Sequence, residues 1–270
     1  MRPSDLESAL PSDREALRRL VDLNTWEMYR ELSSLARGSE IVETPEVIMV
    51  SRPHATPWHN MVMVRDRIDP DHLLAAVHGL YGPPRRPFSI WTRAHADAPL
   101  AAALRERGLQ DLFTMTGMVL FEDPGTRCEP PGLDIRPVAS DQERRDFARV
   151  SAEAYVDFQL APALVEDTFA ALESLAAPHI QGFVGYLGRT PVAAAGVWLS
   201  HGVGGINWVG TVPAHRRRGH AEALAWAAVR EGFRRGAAFA SLQPTHLGRP
   251  VYERMGFVPV AEYPVLVDAG

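Results

Sequence analysis

The spacing of apolar residues in the second half of the chain predicts alternating strands and helices. The segment "LDIRPV" predicts a short strand, and "HIQGFVGYLG", "PVAAAGVWLS" and "VGGINWVGTV" predict strands joined by glycine-containing turns. Apolar residues at steps of three and four predict two amphipathic helices. Their apolar faces are Phe147, Val150, Ala154, Tyr155 and Phe158 in the first, and Ala221, Leu224, Ala225, Ala228, Val229 and Phe233 in the second.

The remaining C-terminal segments complete this pattern. "AAFASLQ" predicts a strand, "GRPVYERMG" a short helix and "FVPVAEYPVLV" a final pair of strands. This order of elements predicts an α+β fold, with a mixed, mainly antiparallel sheet flanked by helices.

Parts of the first half repeat this plan. Ser12 and Glu15 have the Ser-x-x-Glu spacing of a capping box, and so do Ser140 and Glu143 in the second half. We interpret the similarity as a duplicated fold. The alternative is chance similarity between two helix–strand joints.

The segments "LRERGLQDLFTMTGMVLF" and "YERMGFVPVAEYPVLV" carry the rest of the repeat, since each has a helix end, a glycine and then a strand. Gly108 corresponds to Gly256, whereas Leu104 stands where the second copy has Tyr252. The Pro- and Gly-rich stretch at 122–131 predicts a linker, which divides the chain into domains 1–125 and 126–270.

Composition places the chain among ordinary globular proteins, with 46% hydrophobic and 23% charged residues. The absence of a long apolar stretch or an N-terminal secretory signal predicts no membrane partner. The single cysteine, Cys128, falls in the predicted linker, excludes an internal disulfide and fits a cytoplasmic protein. The histidines show no zinc-ligand spacing, so no metal is expected. The net charge of −5 argues against nucleic acid as a partner.

A basic loop stands out against this acidic background. Arg216, Arg217 and Arg218 precede Gly219 at the start of the second predicted helix. Helix N-termini bind anions through unpaired backbone N–H groups, and arginine adds charge and forked donors. The loop therefore predicts a phosphate or pyrophosphate site, with a solvated basic loop as the alternative. The chain has neither the Gly-Lys-Ser/Thr of a P-loop nor the Gly-x-Gly-x-x-Gly of a dinucleotide fold.

Two motifs in this order and spacing resemble those of the GNAT acetyltransferase superfamily. The first is Arg216-x-x-Gly219-x-Ala221 behind "GTVP", which is similar to the family's acyl-coenzyme A loop. The second is "LQPTHLGRPVYERMGF", with its short helix ending in Tyr-x-x-x-Gly-Phe. The resemblance covers roughly 133–265. Because the first half lacks the arginine–glycine loop, we expect a tandem protein whose N-terminal copy is degenerate.

The resemblance implies acetyl-coenzyme A as cosubstrate. The pyrophosphate would lie against the backbone of Arg217–Glu222, and the pantetheine arm along the strand edge Val209–Thr211, in a gap next to the strand "FASLQ". Tyr252 would protonate the departing thiolate. The cofactor-binding residues implied are Val209, Gly210, Thr211, Arg216, Arg217, Arg218, Gly219, His220, Ala221 and Glu222.

The sequence departs from the family pattern near the acceptor site. Thr245 replaces a common asparagine, Gly248 is the small residue that often follows it, and Ala240 lies where some members carry a glutamate base. Deprotonation of the amine would then use water or one of four candidates: Asn207, His246, Glu153 and Asp157.

The acceptor pocket is expected near Asn207 and Trp208, although a strand polar residue is an equal explanation for Asn207. Trp208 and Trp198 fit core or pocket-wall roles better than stacking platforms.

The function these residues imply is that of an N-acetyltransferase, an acyltransferase acting on a small-molecule or peptide amine. A non-catalytic acyl-coenzyme A sensor using the same loop is the alternative. An RNA- or phosphoprotein-binding surface is disfavoured, because basic and aromatic residues do not interleave. The final strand, "YPVLVDAG", could pair across a homodimer.

Overall fold

A computed structural model describes residues 13–53, 56–82, 86–122, 125, 130–156 and 161–268. Cys128, Asp157, Phe158 and most of the predicted linker lie outside these residues. In chain order the elements are α1 (Arg14–Leu35), β1 (Glu40–Glu43), β2 (Val47–Ser51), β3 (Met61–Val64), α2 (Pro70–Tyr81), β4 (Ser89–Trp91), α3 (Ala98–Glu106), β5 (Leu109–Leu120), β6 (Leu133–Pro137), α4 (Asp141–Ala154), α5 (Pro162–Thr168), β7 (Ala176–Ala177), β8 (Ile180–Leu187), β9 (Thr190–Ser200), β10 (Val203–Thr211), α6 (His220–Arg234), β11 (Phe239–Leu242), α7 (Arg249–Met255) and β12 (Val258–Asp268).

The described residues fall into two compact units. The C-terminal unit takes in those among Met1–Ala36, Val119–Leu242 and Pro250–Val258, and the N-terminal unit those among Arg37–Met118, Gln243–Arg249 and Pro259–Gly270. Each unit therefore draws on both sides of residue 125. The division into copies 1–125 and 126–270 stays a prediction.

The C-terminal unit is a sheet with the strand order β11-β10-β9-β8-β6. Neighbouring strands are antiparallel except β10 and β11, which run parallel. This arrangement confirms the predicted mainly antiparallel sheet.

Helices cover both faces of this sheet. Gly204 of β10 lies against α6, because a Cβ there would be 3.4 Å from the Cα of Gly232. Gly205 lies against α1, because a Cβ there would be 2.3 Å from the Oδ1 of Asn24. Successive strand residues point to opposite faces, so α1 and α6 pack on opposite sides of β10.

The helix caps differ in part from the predicted capping boxes. Asp13 is the N-cap of α1, where its carboxylate accepts a hydrogen bond from the Ala16 N–H at 2.9 Å. Ser12, the predicted cap, lies outside the described residues. Ser140 is the N-cap of α4 as predicted, but its hydroxyl donates to Glu143 instead of accepting from the helix backbone.

The N-terminal unit has the strand order β1-β2-β3-β4-β12-β5. Its core packs α2 and α3 onto these strands, with Val62, Leu73, Val77, Ile90 and Leu104 fully buried.

The final segment is the single strand β12, and the predicted strand pair is wrong. The strand continues through Pro264, whose carbonyl accepts from both the backbone N–H and the hydroxyl of Thr92 at 3.0 Å. β12 lies between β4 and β5, so it is not an edge strand. It therefore cannot pair across a dimer as expected from the sequence.

The two halves share one order of elements, which confirms the duplicated fold. β3, α2, β4, α3 and β5 follow each other as β10, α6, β11, α7 and β12 do. In both series the first two strands pair in parallel. Gly108 and Gly256 end corresponding helices with the same φ of 97°, a conformation that favours glycine. Among the described helices, none combines the length and the apolar character needed to cross a membrane.

Candidate active site

A gap opens between β10 and β11. The strands pair at Val203 with Phe239, Gly204 with Ala240, and Gly205 with Ser241. Beyond this point β10 continues to Thr211 without a β11 partner among the described residues. Val209–Thr211 therefore have no β11 partner, as the predicted gap requires, on the side of β10 opposite to β9.

A bulge in β10 lies beside this gap. The pairing of β10 with β9 shifts between Asn207 and Gly210, and Trp208 has a φ of 55°. Such a conformation costs a bulky residue about 1–3 kcal/mol, so its surroundings must hold it. The Trp208 ring packs edge-on against Tyr155 and Phe169, with centroid distances of 5.4 and 4.9 Å. Trp208 is thus half-buried against other aromatic rings, whereas Trp198 is 2% exposed and belongs to the core.

A hydrogen bond joins the end of α4 to the bulge. The Tyr155 hydroxyl donates to the carbonyl oxygen of Val209 at 3.1 Å. Gly210 allows this approach, since a Cβ there would be 2.6 Å from the Cβ of Ala154. Nothing in the sequence marked Tyr155 for this role, because the apolar face of a helix explains it equally well.

Arg216 has a different role from the one expected. Its Nη2 donates to the carbonyl of Ala154 at 2.9 Å, and its Nε to the carbonyl of Thr211 at 3.3 Å. The guanidinium therefore ties the loop to the C-terminus of α4, where a cation is favourable. Arg217 and Arg218 are exposed, and their side chains make no ion pair with another described residue.

The start of α6 is open to an external anion. Gly219 is the N-cap, with a φ of 79° and no side chain to bond the first helical N–H groups. The N–H groups of His220, Ala221 and Glu222 therefore lack a capping side chain, and the positive end of the helix dipole adds to them.

The equivalent helix of the first half is closed by its own carboxylate. Asp69 caps α2 and accepts from the N–H groups of Asp71 and His72, both at 3.0 Å. Asp71 adds a second negative charge in the same turn. In the first copy, the Asp69 carboxylate thus binds the N–H groups at the helix start, whereas in the second copy no side chain does so.

His220 lies beneath the loop. Its side chain is 4% exposed, and neither ring nitrogen has a hydrogen-bond partner among the described residues. Burial lowers the pKa of His220, and the nearby charges of His215 and Arg218 lower it further. The imidazole is consequently neutral near pH 7.

Replacing His220 by leucine should raise the free energy of unfolding by about 1 kcal/mol, since an unpaired buried polar group is removed. The unfolded state binds the proton of His220 below about pH 6.5, where the folded state resists it. Stability of the wild type should therefore fall as the pH drops below this value, and less steeply in His220→Leu. Urea unfolding between pH 7 and pH 5 measures the free energy of unfolding and its dependence on pH. The substitution His72→Leu, at an exposed histidine, is the control. If the free energy of unfolding fell equally steeply with pH in the wild type and in His220→Leu, the imidazole of His220 would not be neutral and buried.

Tyr252 lies on α7, half-buried, with its ring edge-on to Phe257 at 5.9 Å. Burial raises its pKa, so the phenol stays protonated and can act as an acid. Burial also raises the pKa of Tyr155, and the charges that Tyr252 and Tyr29 would carry raise it further. Burial raises the pKa of Tyr29, on α1, to about 12. The phenols of Tyr29 and Tyr252 are therefore within electrostatic range of Tyr155, whose hydroxyl bonds the Val209 carbonyl.

The candidates for deprotonating an amine are less favourably placed. Glu153 and His246 are exposed, and Ala240 is a buried strand residue without a basic group. Asn207 is half-buried on the α1 side of β10, with its Nδ2 3.3 Å from the Cβ position of Gly205.

Thr245 makes a local turn. Its carbonyl accepts from the N–H groups of Gly248 and Arg249 at 3.0 Å, at the start of α7. No group of three or more potential metal ligands occurs within the part of the chain that the structure describes.

Residues 190–260 match the acetyltransferase (GNAT) domain family. This stretch contains β9, β10, the arginine loop, α6, β11 and Tyr252. No curated protein sequence matches the chain significantly.

The whole chain has the fold of solved GNAT structures. A GCN5-related N-acetyltransferase from Kribbella flavida is 21% identical over 92% of this chain and 96% of its own, with a TM-score of 0.70. A tandem GNAT protein from the clavulanic acid biosynthesis pathway is 13% identical over 95% of each chain, with a TM-score of 0.62. A GCN5-related N-acetyltransferase from Sphaerobacter thermophilus is 16% identical over 96% and 93%, with a TM-score of 0.60. At these identities the similarity establishes the fold.

Proposed function

Since residues 190–260 match the GNAT acetyltransferase domain and the whole chain has the fold of a tandem GNAT protein, we propose that the protein is an N-acetyltransferase. It moves an acetyl group from acetyl-coenzyme A to a primary amine of a small molecule or peptide. GNAT folds support acyltransferase activity in general; we propose acetyl as the group transferred and an amine as its acceptor. The proposal includes a cytoplasmic location and no nucleic-acid or membrane partner.

The proposal rests mainly on the segment from β10 to α6, which offers two adjacent places for parts of the same ligand. Among the described residues, β10 has no partner strand beside Val209–Thr211 on the β11 side. The carbonyls of Val209 and Thr211 already accept from Tyr155 and Arg216, so the strand would bind a pantetheine arm through backbone N–H groups. Eight residues after Thr211, Gly219 leaves the start of α6 uncapped, which suits a pyrophosphate. Arg217 and Arg218 supply positive charge beside the helix start.

The chemistry is a direct displacement. The neutral amine nitrogen attacks the thioester carbonyl, a strand-edge N–H at Val209–Thr211 stabilises the oxyanion, and the carbon–sulfur bond then breaks. The sulfur takes its proton from Tyr252, and the amine loses one to water. Because its pKa is raised, Tyr252 holds its proton until the thiolate becomes basic enough to accept it.

Changing both Arg217 and Arg218 to alanine should weaken acetyl-coenzyme A binding by about tenfold to a hundredfold, since charge-assisted contacts to phosphate are lost. Thermal stability should change little, because both side chains are exposed. Titration calorimetry measures the affinity. Arg145→Ala/Arg149→Ala, on the exposed side of α4, makes the same charge change away from the loop and serves as the control. Equal affinity for acetyl-coenzyme A in both double variants would show that Arg217 and Arg218 do not bind the ligand.

Turnover itself is tested by following release of the coenzyme A thiol from acetyl-coenzyme A over a panel of amines. Acceptor-dependent release with acetylated product supports the proposal. Tight cofactor binding without release on any amine would favour the non-catalytic acyl-coenzyme A sensor.

A further inference from the structure

One side chain of the N-terminal helix connects the strands of the C-terminal unit. Asn24 of α1 is 1% exposed. Its Nδ2 donates its two hydrogens, one of them shared, to the carbonyl of Trp198 at 3.1 Å, the hydroxyl of Ser200 at 2.9 Å and the carbonyl of Val203 at 3.3 Å. Its Oδ1 accepts from the hydroxyl of Ser241 at 3.3 Å. A single amide group therefore bridges β9, β10 and β11.

The position of this amide coincides with the point where β10 and β11 separate. Ser241 and Gly205 are the last pair that joins these strands before the gap. Gly205 lies directly under the amide, since an added Cβ would be 2.3 Å from the Oδ1 of Asn24. Glycine at 205 is thus what allows Asn24 to reach all three strands.

A helix that served only to cover the sheet would need no such group. The same helix already buries Leu17, Val21, Met28 and Leu32, which supply apolar packing. A buried amide destabilises the fold unless its donors and acceptors are hydrogen-bonded. Fully bonded, it fixes the relative positions of the strands that it joins.

We propose that Asn24 is a positioning residue that fixes the apex of the gap between β10 and β11, and with it the seat of the pantetheine arm. The inference rests on the proposed function for the identity of the arm. It gives α1, which precedes the N-terminal unit in the chain but packs within the C-terminal unit, a role in cofactor binding. The thioester is aligned with the acceptor only if the two strands diverge at the right point.

Asn24→Ala and Gly205→Ala remove the same contact from opposite sides, the first by deletion and the second by steric exclusion. Each should raise the Kd for acetyl-coenzyme A by about tenfold, the effect of losing about one hydrogen bond between the displaced strand edge and the pantetheine arm. Leu17→Ala, on the same helix and 4% exposed, is the control for loss of stability without loss of the bridge. Its Kd should remain near that of the wild type at a temperature where all variants are folded.

The double variant Asn24→Ala/Gly205→Ala should bind no more weakly than the weaker single variant, because both substitutions break one contact. Additive losses, or a Kd in Asn24→Ala equal to that in Leu17→Ala, would overturn the inference.

Amide hydrogen exchange separates this inference from the proposed function, because it needs no ligand. Asn24→Ala should speed exchange at 205–207 and 241–242 more than elsewhere in the sheet, whereas Leu17→Ala should not favour these positions. If the wild type bound no acetyl-coenzyme A, the proposed function would fail, and the exchange pattern would still decide whether Asn24 fixes the apex. An exchange pattern common to both variants would overturn the positioning role.

Discussion

A Gly219→Asp variant should lose most of its affinity for acetyl-coenzyme A while it keeps its fold. The carboxylate would stand at the start of α6, where the proposed pyrophosphate lies. Repulsion between such groups at about 5 Å is worth roughly 2–3 kcal/mol, or a rise in Kd of about 30-fold to 150-fold. There is space for the side chain, because the nearest atom to an added Cβ is the Cγ of Pro130 at 3.5 Å. Titration calorimetry at low salt measures the loss.

Gly219→Asn is the matched control for this substitution. It has the same shape and imposes the same strain at a φ of 79°, a conformation that Asn and Asp tolerate better than other residues. Its Kd should rise only severalfold. The comparison reproduces, within one loop, the natural difference between the open start of α6 and the start of α2 that Asp69 closes. Equal losses in Gly219→Asp and Gly219→Asn would show that charge at this position does not oppose the ligand.

Replacing Tyr252 by phenylalanine should lower kcat by about a hundredfold, which is typical when a general acid is removed. The ring contact with Phe257 is kept, so the Kd for acetyl-coenzyme A should stay within about twofold. Because burial raises the pKa of Tyr252, the wild-type kcat should show no decline from its ionisation below about pH 10, the ordinary pKa of tyrosine. Steady-state kinetics across pH test both statements.

Tyr186→Phe controls for loss of a tyrosine hydroxyl in the same unit, since that hydroxyl bonds Asp146 at 2.9 Å and takes no part in the proposed chemistry. It should leave kcat near the wild-type value. A kcat for Tyr252→Phe no lower than that of Tyr186→Phe would remove Tyr252 from the mechanism.

Much of the fold and of the loop could be predicted from local patterns. The arginine–glycine loop, the strand before it and the helix after it form one contiguous stretch, so periodicity and a motif were sufficient. The gap between β10 and β11 followed from the family resemblance, and Gly108 and Gly256 revealed the repeat because a positive φ demands glycine. The segment of β12 was predicted as two strands, but it is one strand that continues through Pro264, where the carbonyl still accepts a hydrogen bond.

The parts that could not be predicted depend on contacts between distant segments. Asn24 is separated by 174 residues from Trp198 and by 217 from Ser241, and nothing in its helix distinguishes it from a polar surface residue. Tyr29 and Tyr155 fit ordinary helical faces equally well. Arg216 belonged to a basic motif, and only the position of the α4 carbonyls shows that it is used within the fold.

The central claim is that this chain binds acetyl-coenzyme A at the loop before α6. Thermal unfolding of the purified protein with acetyl-coenzyme A, and with ADP as the comparison, tests it most directly. A ligand at about a hundred times its Kd adds roughly 2.7 kcal/mol to the stability, which corresponds to an increase of about 5 °C or more in Tm. The predicted result is such an increase with acetyl-coenzyme A, and a smaller one with ADP, which lacks the pantetheine arm. An unchanged Tm at millimolar acetyl-coenzyme A would contradict the account.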